Sequence, residues 1–491
     1  MRLVQLAEGC FTVPARWRDI EVCGLTCDSR EVKPGYLFVA LAGCRTDGHL
    51  YARMAEEAGA VAIVGERTRV PRKPNGQVAA GPLRIPVFRV DDSRRALGRL
   101  ARNYFGEERR PLELVGVTGT KGKTTTTWLV DAIFRNAGKV SALFGTVLNR
   151  VGETVYPSNN TTPSCMQLHR FLDQLAGRGG THAVLEVSSH GILQRRTEGL
   201  DFRAGIFTNV APEHLDYHKT FASYVETKVS FFTELSPSSF AILPREEPTS
   251  MTIAARTPAR VVWYGTEIQD GVDRVRIEPE GMSFRWRGLP VHTRLWGYHN
   301  LLNILGAMTC AECLGFTREE IVHGIEAAEA PPGRLEEILH GGGFRVFVDY
   351  AHTDGSLETV LRALRPMTRG RIITVFGCGG DRDRTKRPRM GRVAEKWSDN
   401  IVVTSDNPRT EDPEAIIKNI VAGLDHPEEA VFVVDRREAI ALGIRMAREN
   451  DTVLIAGKGH ETYQEIKDRR IHFDDREVAR EFLSETIHMG S

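Results

Sequence analysis

Several groups of residues in this chain have the types and spacing that chemistry requires. The first is Asp406-Asn407-Pro408-Arg409, which follows the apolar run Ile401-Val402-Val403-Thr404. The run reads as a buried strand, and Asp, Asn and Pro turn the chain after it. The turn aims Arg409 outward from the sheet edge, where open α/β sheets hold their ligands. A rigid guanidinium fork there suits a carboxylate-bearing ligand.

The second group is Gly116-Val117-Thr118-Gly119-Thr120-Lys121-Gly122-Lys123-Thr124-Thr125. An apolar strand, Leu112–Val117, enters a Gly/Thr-rich turn, and a helical stretch, Thr124–Asn136, leaves it before Gly138. Glycines let backbone N–H groups curl around phosphate oxygens, and the helix N-terminus adds positive potential. Lys123 would reach the β and γ phosphates, and the Thr124 hydroxyl could ligate Mg²⁺. A strict Walker spacing needs Gly where Val117 stands, so this is a variant loop.

The remaining groups are carboxylates, histidines and one lysine. Glu186 ends the strand-like run Ala183–Val187 and is read either as a Mg²⁺ ligand or as a structural cap. His214 and His218 have the i, i+4 spacing that suits zinc on a helix, but Pro212 and the lack of a third soft ligand oppose zinc. Lys228 sits in a helix-like run, Tyr224–Phe232, that is otherwise apolar or small. A lysine in such a run is usually a snorkelling surface residue. Cys310 and Cys313 form one CxxC inside Leu301–Leu314, which reads as a buried helix, so core cysteines are expected rather than metal ligands.

These groups need elements to position them, and the chain supplies a regular set. Apolar β-branched runs at Arg345–Val348, Ile372–Phe376, Ile401–Thr404, Val431–Val434 and Val453–Ala456 alternate with helical segments such as Leu357–Leu364 and Ala415–Ala422. That alternation gives βαβ units and a mostly parallel sheet. Polar clusters follow the strands: Ser188-Ser189-His190, Pro212-Glu213-His214, His352, Asp381-Arg382-Asp383, Asp406–Arg409 and Gly457–Glu461. Glu107-Glu108-Arg109-Arg110-Pro111 and Ala330-Pro331-Pro332-Gly333 read as links. With 491 residues, about three domains are expected. Their limits are placed at 1–108, 109–331 and 332–491.

Composition excludes several classes. The chain is 41% hydrophobic and 26% charged, ordinary for a protein with sizeable cores. Its 65 basic and 64 acidic residues leave a net charge of +1, which opposes bulk binding to nucleic acid or to a membrane surface. No apolar run approaches membrane-spanning length, and the first residues lack a signal-peptide core. Eight scattered cysteines fit reduced thiols in the cytoplasm.

Taken in order, Gly119–Thr125, Glu186-Val187-Ser188-Ser189-His190-Gly191, Asp349-Tyr350-Ala351-His352, Gly377–Asp383 and Gly457-Lys458-Gly459-His460-Glu461 resemble the Mur ligase family. The resemblance runs from Asp28-Ser29-Arg30 to Glu461 and is strongest to the branch that adds the third peptide residue in peptidoglycan synthesis. It implies an α/β fold of three domains: a mixed α/β N-terminal domain for a UDP-sugar, a central P-loop ATPase-like parallel-sheet domain, and a C-terminal Rossmann-like domain for the amino acid. It implies a cytoplasmic, monomeric, ATP-dependent ligase that joins meso-diaminopimelate to UDP-N-acetylmuramoyl-L-alanyl-D-glutamate through an acyl phosphate.

The same resemblance assigns residues. UDP contacts fall at Cys27, Ser29 and Cys44-Arg45-Thr46, with Asn160-Thr161-Thr162, Ser188, Gln194 and Arg196 holding the rest of that substrate. ATP lies on Gly119, Thr120, Lys121, Gly122, Lys123, Thr124 and Thr125, with Asn300 and Asn303 near adenine, Arg334 near phosphate and Asp349 near ribose. Mg²⁺ uses Thr124, Glu186 and His214, and Lys228 matches a carbamylated lysine that serves a second Mg²⁺. Diaminopimelate falls to Arg382, Asp406, Asn407, Pro408, Arg409, Gly457 and Glu461, with Glu461 suited to an ammonium.

An Asp-Asn-Pro-Arg run marks diaminopimelate-adding members of the family, and the physics agrees. Diaminopimelate differs from L-lysine by one distal carboxylate, which Arg409 can pair with bidentately. Lysine is expected to leave a partly buried guanidinium unpaired.

Three departures from the family pattern stand out: Lys121 in place of a usual Asn, cysteines at 27 and 44, and His352-Thr353-Asp354-Gly355 in place of His-Thr-Pro. Lys121 should tighten triphosphate contact or do nothing, and Asp354-Gly355 should still turn the chain. The rivals are a folylpolyglutamate synthase or lysine-adding relative on the same frame, and a P-loop ATPase acting as a switch with no small-molecule product.

Overall fold

The computed structural model describes residues 1–43, 46–67, 82–106, 112–268, 271–278 and 280–489. Cys44, Arg45 and the link Glu107–Pro111 lie outside the described residues. The chain divides into two units, Met1–Glu267 with Gly306–Gly324, and Ile268–Leu305 with Ile325–Ser491.

The first unit holds two sheets. Strands Gly24–Thr26, Tyr36–Ala40, Ala62–Gly65 and Val87–Arg89 pair in that order, all parallel. Leu37, Val39 and Val64 pack there with Leu97 and Leu100 of helix Ser93–Gly106. The second sheet has eight strands. Its centre is Glu113–Thr118, flanked in parallel by His182–Glu186 and Ala204–Phe207. One edge is an antiparallel hairpin addition, Leu148–Val151 with Thr154–Pro157. The central strands are buried on both faces, which is why they read as unbroken apolar runs.

In the second unit a six-stranded sheet runs Glu336–Glu337, Arg345–Asp349, Thr452–Ala456, Ile372–Phe376, Asn400–Val403, Ala430–Phe432. All pairs are parallel except the first. Alternate residues feed two cores. Phe347, Phe376 and Leu454 pack with Leu357, Met390 and Ile420 on one face, and Val346, Val348, Val375 and Ile455 pack with Ile440, Ile444 and Leu483 on the other. Period-two alternation under helices on both faces is the doubly wound α/β arrangement.

Two local expectations change. Asp354-Gly355 does not turn the chain; it opens helix Asp354–Leu364, with Thr353 as the cap whose side chain accepts from Ser356 N. An acidic residue in the first turn suits the helix dipole, so Asp354 favours starting the helix over turning. Lys228 is not a snorkelling surface residue, because its side chain is almost wholly buried in helix Phe221–Thr233.

Candidate functional site

The phosphate loop begins where strand Glu113–Thr118 ends. Val117 is still in the strand, paired with Glu186 and Ile206, so the loop's first glycine is Gly119. Gly119 has φ +153°, and a Cβ there would lie 1.9 Å from Thr208 Oγ1. No other residue type fits. Gly122, at φ +84°, caps helix Lys123–Asn136. The loop is strapped from below: Thr208 Oγ1 donates to Lys121 O at 2.6 Å, and Lys121 N donates to Asn209 Oδ1 at 3.0 Å. Lys123 Nζ donates to Gly119 O at 3.0 Å and to Thr120 O at 2.9 Å.

Glu186 is buried beside this loop. Its Oε1 accepts from Thr124 Oγ1 at 3.0 Å and from Thr146 N at 2.7 Å, and its Oε2 accepts from Thr146 Oγ1 at 3.0 Å. A Cβ on Gly145 would come within 2.3 Å of Oε1, so that glycine makes room for the carboxylate. Among the described residues no group of three or more His, Cys, Asp or Glu side chains forms a cage for a metal. The donor set is therefore hydroxyl and carboxylate oxygen at the mouth of a phosphate loop, which fits Mg²⁺ that takes its other ligands from substrate phosphates and water.

Lys228 Nζ donates to Gly119 O at 2.7 Å and lies 4.5 Å from the Tyr224 ring centroid. Burial, with Lys123 adding to it, holds its pKa well below the usual lysine value of 10.5. The neutral amine so favoured is the form that reacts with CO₂, so Lys228 fits a carbamate. His214 has left-handed backbone and caps the single turn Leu215–His218. The i, i+4 histidines are thus on a helical turn, but His218 Nε2 is engaged with Ser189 Oγ at 2.9 Å. Burial lowers the pKa of His214 and of His218, and burial with those two neighbours lowers His190 to about 4. Neutral imidazoles are left at neutral pH.

The residues expected to hold the sugar-peptide gather next to Glu186. Thr162 Oγ1 donates to Glu186 O at 2.8 Å and accepts from Ser188 N at 2.9 Å. Arg196 Nη1 donates to Thr162 O at 2.6 Å, and its Nη2 donates to Gln194 Oε1 at 2.8 Å. Thr161 Oγ1 accepts from Thr146 Oγ1 at 3.1 Å, and Asn160 O accepts from Ser158 Oγ. In the N-terminal sheet Cys27 and Ser29 follow strand Gly24–Thr26 as half-buried residues, and Thr46 Oγ1 lies 3.3 Å from Tyr51 Oη. Burial pushes the Cys27 thiol up to about 11, so it is an inert contact surface.

A second cluster sits at the carboxyl ends of Ile372–Phe376, Asn400–Val403 and Thr452–Ala456 in the second unit. Asn407 is buried and its amide is bonded at both ends: Nδ2 donates to Glu461 Oε2 at 2.8 Å, while Oδ1 accepts from Lys458 Nζ and Glu465 N, both at 3.0 Å. Lys458 Nζ also reaches Glu461 Oε2 at 3.2 Å. Asp406 O accepts from Gln464 Nε2 at 2.8 Å. Gly457, at φ +120°, lets the chain pass Asp406, whose Oδ2 a Cβ would meet at 2.8 Å. Pro408 O fills the space that a Cβ on Gly380 would need. Arg382 is exposed on the neighbouring loop.

Arg409 departs from expectation. It has left-handed backbone, φ +53°, and its guanidinium is already engaged. Nε donates to Glu465 Oε2 at 3.0 Å and Nη1 donates to Gly380 O at 2.8 Å. An amino acid without a distal carboxylate therefore does not leave this arginine unpaired, because Glu465 supplies the charge in advance. Glu465 and Lys458 were missed as members of the cluster. Lys458 lies inside the Gly457–Glu461 motif, which was a usable signal; Glu465, in strand Tyr463–Ile466, had none.

The remaining residues expected at the nucleotide lie in the second unit. Asn300 Nδ2 donates to Trp296 O at 2.9 Å, and Asn303 Nδ2 donates to Asn300 Oδ1 at 3.1 Å. Asp349 accepts from Leu335 N at 2.6 Å and Ala351 N at 2.7 Å, so its carboxylate also fixes the backbone. The Arg334 guanidinium stacks 4.7 Å from the Tyr350 ring centroid.

Three family models match the chain: the Mur ligase family catalytic domain over residues 21–105, the Mur ligase middle domain over 117–311, and the Mur ligase glutamate ligase domain over 333–459. The chain belongs to the Mur ligase family. Its three domains carry parallel α/β sheets, as that family's do. A UDP-N-acetylmuramoyl-L-alanyl-D-glutamate–2,6-diaminopimelate ligase of Geobacter metallireducens is 42% identical over 96% of this chain and 96% of its own length. One of the same name from Aquifex aeolicus is 40% identical over 94% of each. A solved structure of a ligase so named superposes with a TM-score of 0.72 at 30% identity, covering 99% of both chains. MurF of Acinetobacter baumannii, at 18% identity and a TM-score of 0.62 over 95% of this chain and 93% of its own, shares the fold.

Proposed function

We propose that this Mur ligase adds meso-diaminopimelate to UDP-N-acetylmuramoyl-L-alanyl-D-glutamate, with ATP hydrolysed to ADP and phosphate, in the synthesis of peptidoglycan precursors. The full-length likeness to diaminopimelate ligases supports the reaction. The observation that carries the choice of amino acid is the Asp406–Arg409 loop, in which a guanidinium stands beside the Glu461 carboxylate's cluster. A carboxylate-ammonium pair, the distal end of diaminopimelate, matches that pairing. The three matched stretches support domain limits at 1–108, 109–331 and 332–491. No helix among the described residues is long and apolar enough to cross a membrane; we place the enzyme in the cytoplasm, as a monomer.

The reaction has two steps. The D-glutamyl γ-carboxylate oxygen attacks the γ-phosphorus of ATP, and ADP leaves, giving an acyl phosphate. The free amine of diaminopimelate then attacks the acyl carbon, loses a proton, and phosphate departs with the C–O bond electrons. Loop N–H groups of Gly119–Thr125 and the Lys123 ammonium balance charge on the moving phosphoryl group. Thr162, Ser188, Gln194 and Arg196 hold the sugar-peptide so that its carboxylate meets that phosphorus. Thr124, Glu186, His214 and a carbamylated Lys228 would hold Mg²⁺, which when bound neutralises phosphate charge. No protein nucleophile is required, so catalysis is mainly positioning and electrostatics.

Phosphate release from purified protein with ATP, Mg²⁺ and the UDP-sugar dipeptide tests this reading. Release that depends on meso-diaminopimelate supports it. Preference for L-lysine overturns the amino-acid assignment, and release indifferent to both overturns the ligase reading. The carbamate is tested separately. Lys228→Ala should lose activity and regain part of it with acetate or formate; no response to either removes the carbamate.

A further inference from the structure

Arg409 is held by strand Tyr463–Ile466 more closely than any substrate-binding role alone requires. Arg409 N donates to Glu465 O at 3.0 Å, Lys467 N donates to Arg409 O at 2.6 Å, and Nε donates to the Glu465 carboxylate at 3.0 Å. The arginine side chain is 19% exposed and that of Glu465 is 41% exposed, so the pair lies at the edge of the cluster rather than deep in the core. Nε and Nη1 are occupied by Glu465 and Gly380, while among the described residues Nη2 makes no hydrogen bond. Nη2 is the nitrogen of the fork left for a ligand.

The geometry points to Glu465 as a specificity-determining residue: a built-in counter-anion that partly neutralises Arg409 and so limits how sharply this ligase separates diaminopimelate from amino acids lacking a second carboxylate. This rests on the reading of Arg409 as the partner of the distal carboxylate. A ligand carboxylate on Nη2 and the Glu465 carboxylate on Nε share one guanidinium, and two anions that close repel. L-Lysine brings the same distal ammonium but no distal carboxylate, so it alone escapes the repulsion, while any attraction Glu465 offers the ammonium is shared by both substrates. The repulsion is therefore what moves the ratio of the two substrates. Glu465 thus acts through Arg409 as a positioning and tuning residue, and its partial exposure bounds the effect.

Glu465→Gln keeps an acceptor for Nε and removes the charge. The ratio of kcat/KM for diaminopimelate to that for L-lysine, with lysine's inhibition constant used where turnover is too slow, should rise about three- to tenfold. The change should fall in the amino-acid terms and spare KM for ATP. The same substitution on an Arg409→Ala background should move the ratio less, because the guanidinium that holds both carboxylates close is gone. An unchanged or lowered ratio in Glu465→Gln, or an equal shift in KM for ATP, overturns the inference while leaving the function intact. Undiminished use of diaminopimelate by Arg409→Ala alone is a different failure: it removes the assignment of Arg409 and the inference with it.

Discussion

The lysines that reach the phosphate loop's Gly119 carbonyl and the arginine of the Asp406–Arg409 loop sit in different settings. Lys123 and Lys228 both donate to Gly119 O, a neutral carbonyl, and Lys228 makes no ion pair among the described residues. Arg409 donates to a carboxylate, Glu465, as well as to a carbonyl. Burial disfavours the charged form of Lys228, so the cation there is Lys123, and a cation oriented by carbonyl dipoles directs its charge at an incoming anion. One paired with a carboxylate has spent part of it. The difference matches the two tasks. Transfer of a phosphoryl group rewards the strongest preorganised positive field. Choice between two amino acids rewards a difference in binding, which a tuned charge provides as well as a full one.

The largest effect should therefore come from the first region. Lys123→Ala removes a preorganised cation with nothing to replace it, and kcat should fall about 10²–10³-fold. A loss under tenfold, measured by single-turnover phosphate transfer, would mean that the backbone of the loop does most of the work. Arg409→Ala should act more narrowly. Use of diaminopimelate should fall about a hundredfold, the order expected when a recognition pair is removed, with KM for ATP held within about twofold. Equal damage to both terms would make Arg409 a structural prop for strand Tyr463–Ile466, as its side-chain bonds to Glu465 and Gly380 permit.

How much of this was legible in the sequence also differs between the regions. The phosphate loop is local: strand, glycines, Lys-Thr and helix occupy consecutive positions, so the text carries the geometry. Gly119 is the exception, since part of its reason for being glycine is the approach of Thr208 from a neighbouring strand end, which no local pattern shows. The parallel sheets were legible too, because strands buried on both faces spell apolar runs. The state of Arg409 was not. Its partner Glu465 lies 56 positions away in a short antiparallel strand whose pattern, Tyr-Gln-Glu-Ile, advertises nothing. Lys228 was misread for a related reason. Pattern places a lone lysine in an apolar helix at the surface, and only the approach of Gly119 O and the Tyr224 ring makes a buried site for it.

The smallest effect, and the one that sharpens the contrast most, concerns stability. A lysine buried against a carbonyl costs the fold something that a paired arginine does not. Burial lowers the folded-state pKa of Lys228 below the usual 10.5. Between that lowered value and 10.5 the unfolded chain binds a proton that the folded chain does not, so the stability of the unmodified protein rises with pH through that window and levels off above 10.5. Lys228→Met fills a similar volume without that linkage. In CO₂-free buffer the variant should melt a few degrees above the parent near pH 7, and the gap should close as pH climbs toward 10.5. A gap that stayed constant with pH would mean the lysine is charged when folded, and the neutral amine that carbamylation needs would not be supplied by burial. Adding bicarbonate should raise the melting temperature of the parent alone, because only the parent has an amine that can exchange its buried, unpaired state for an anion beside Lys123.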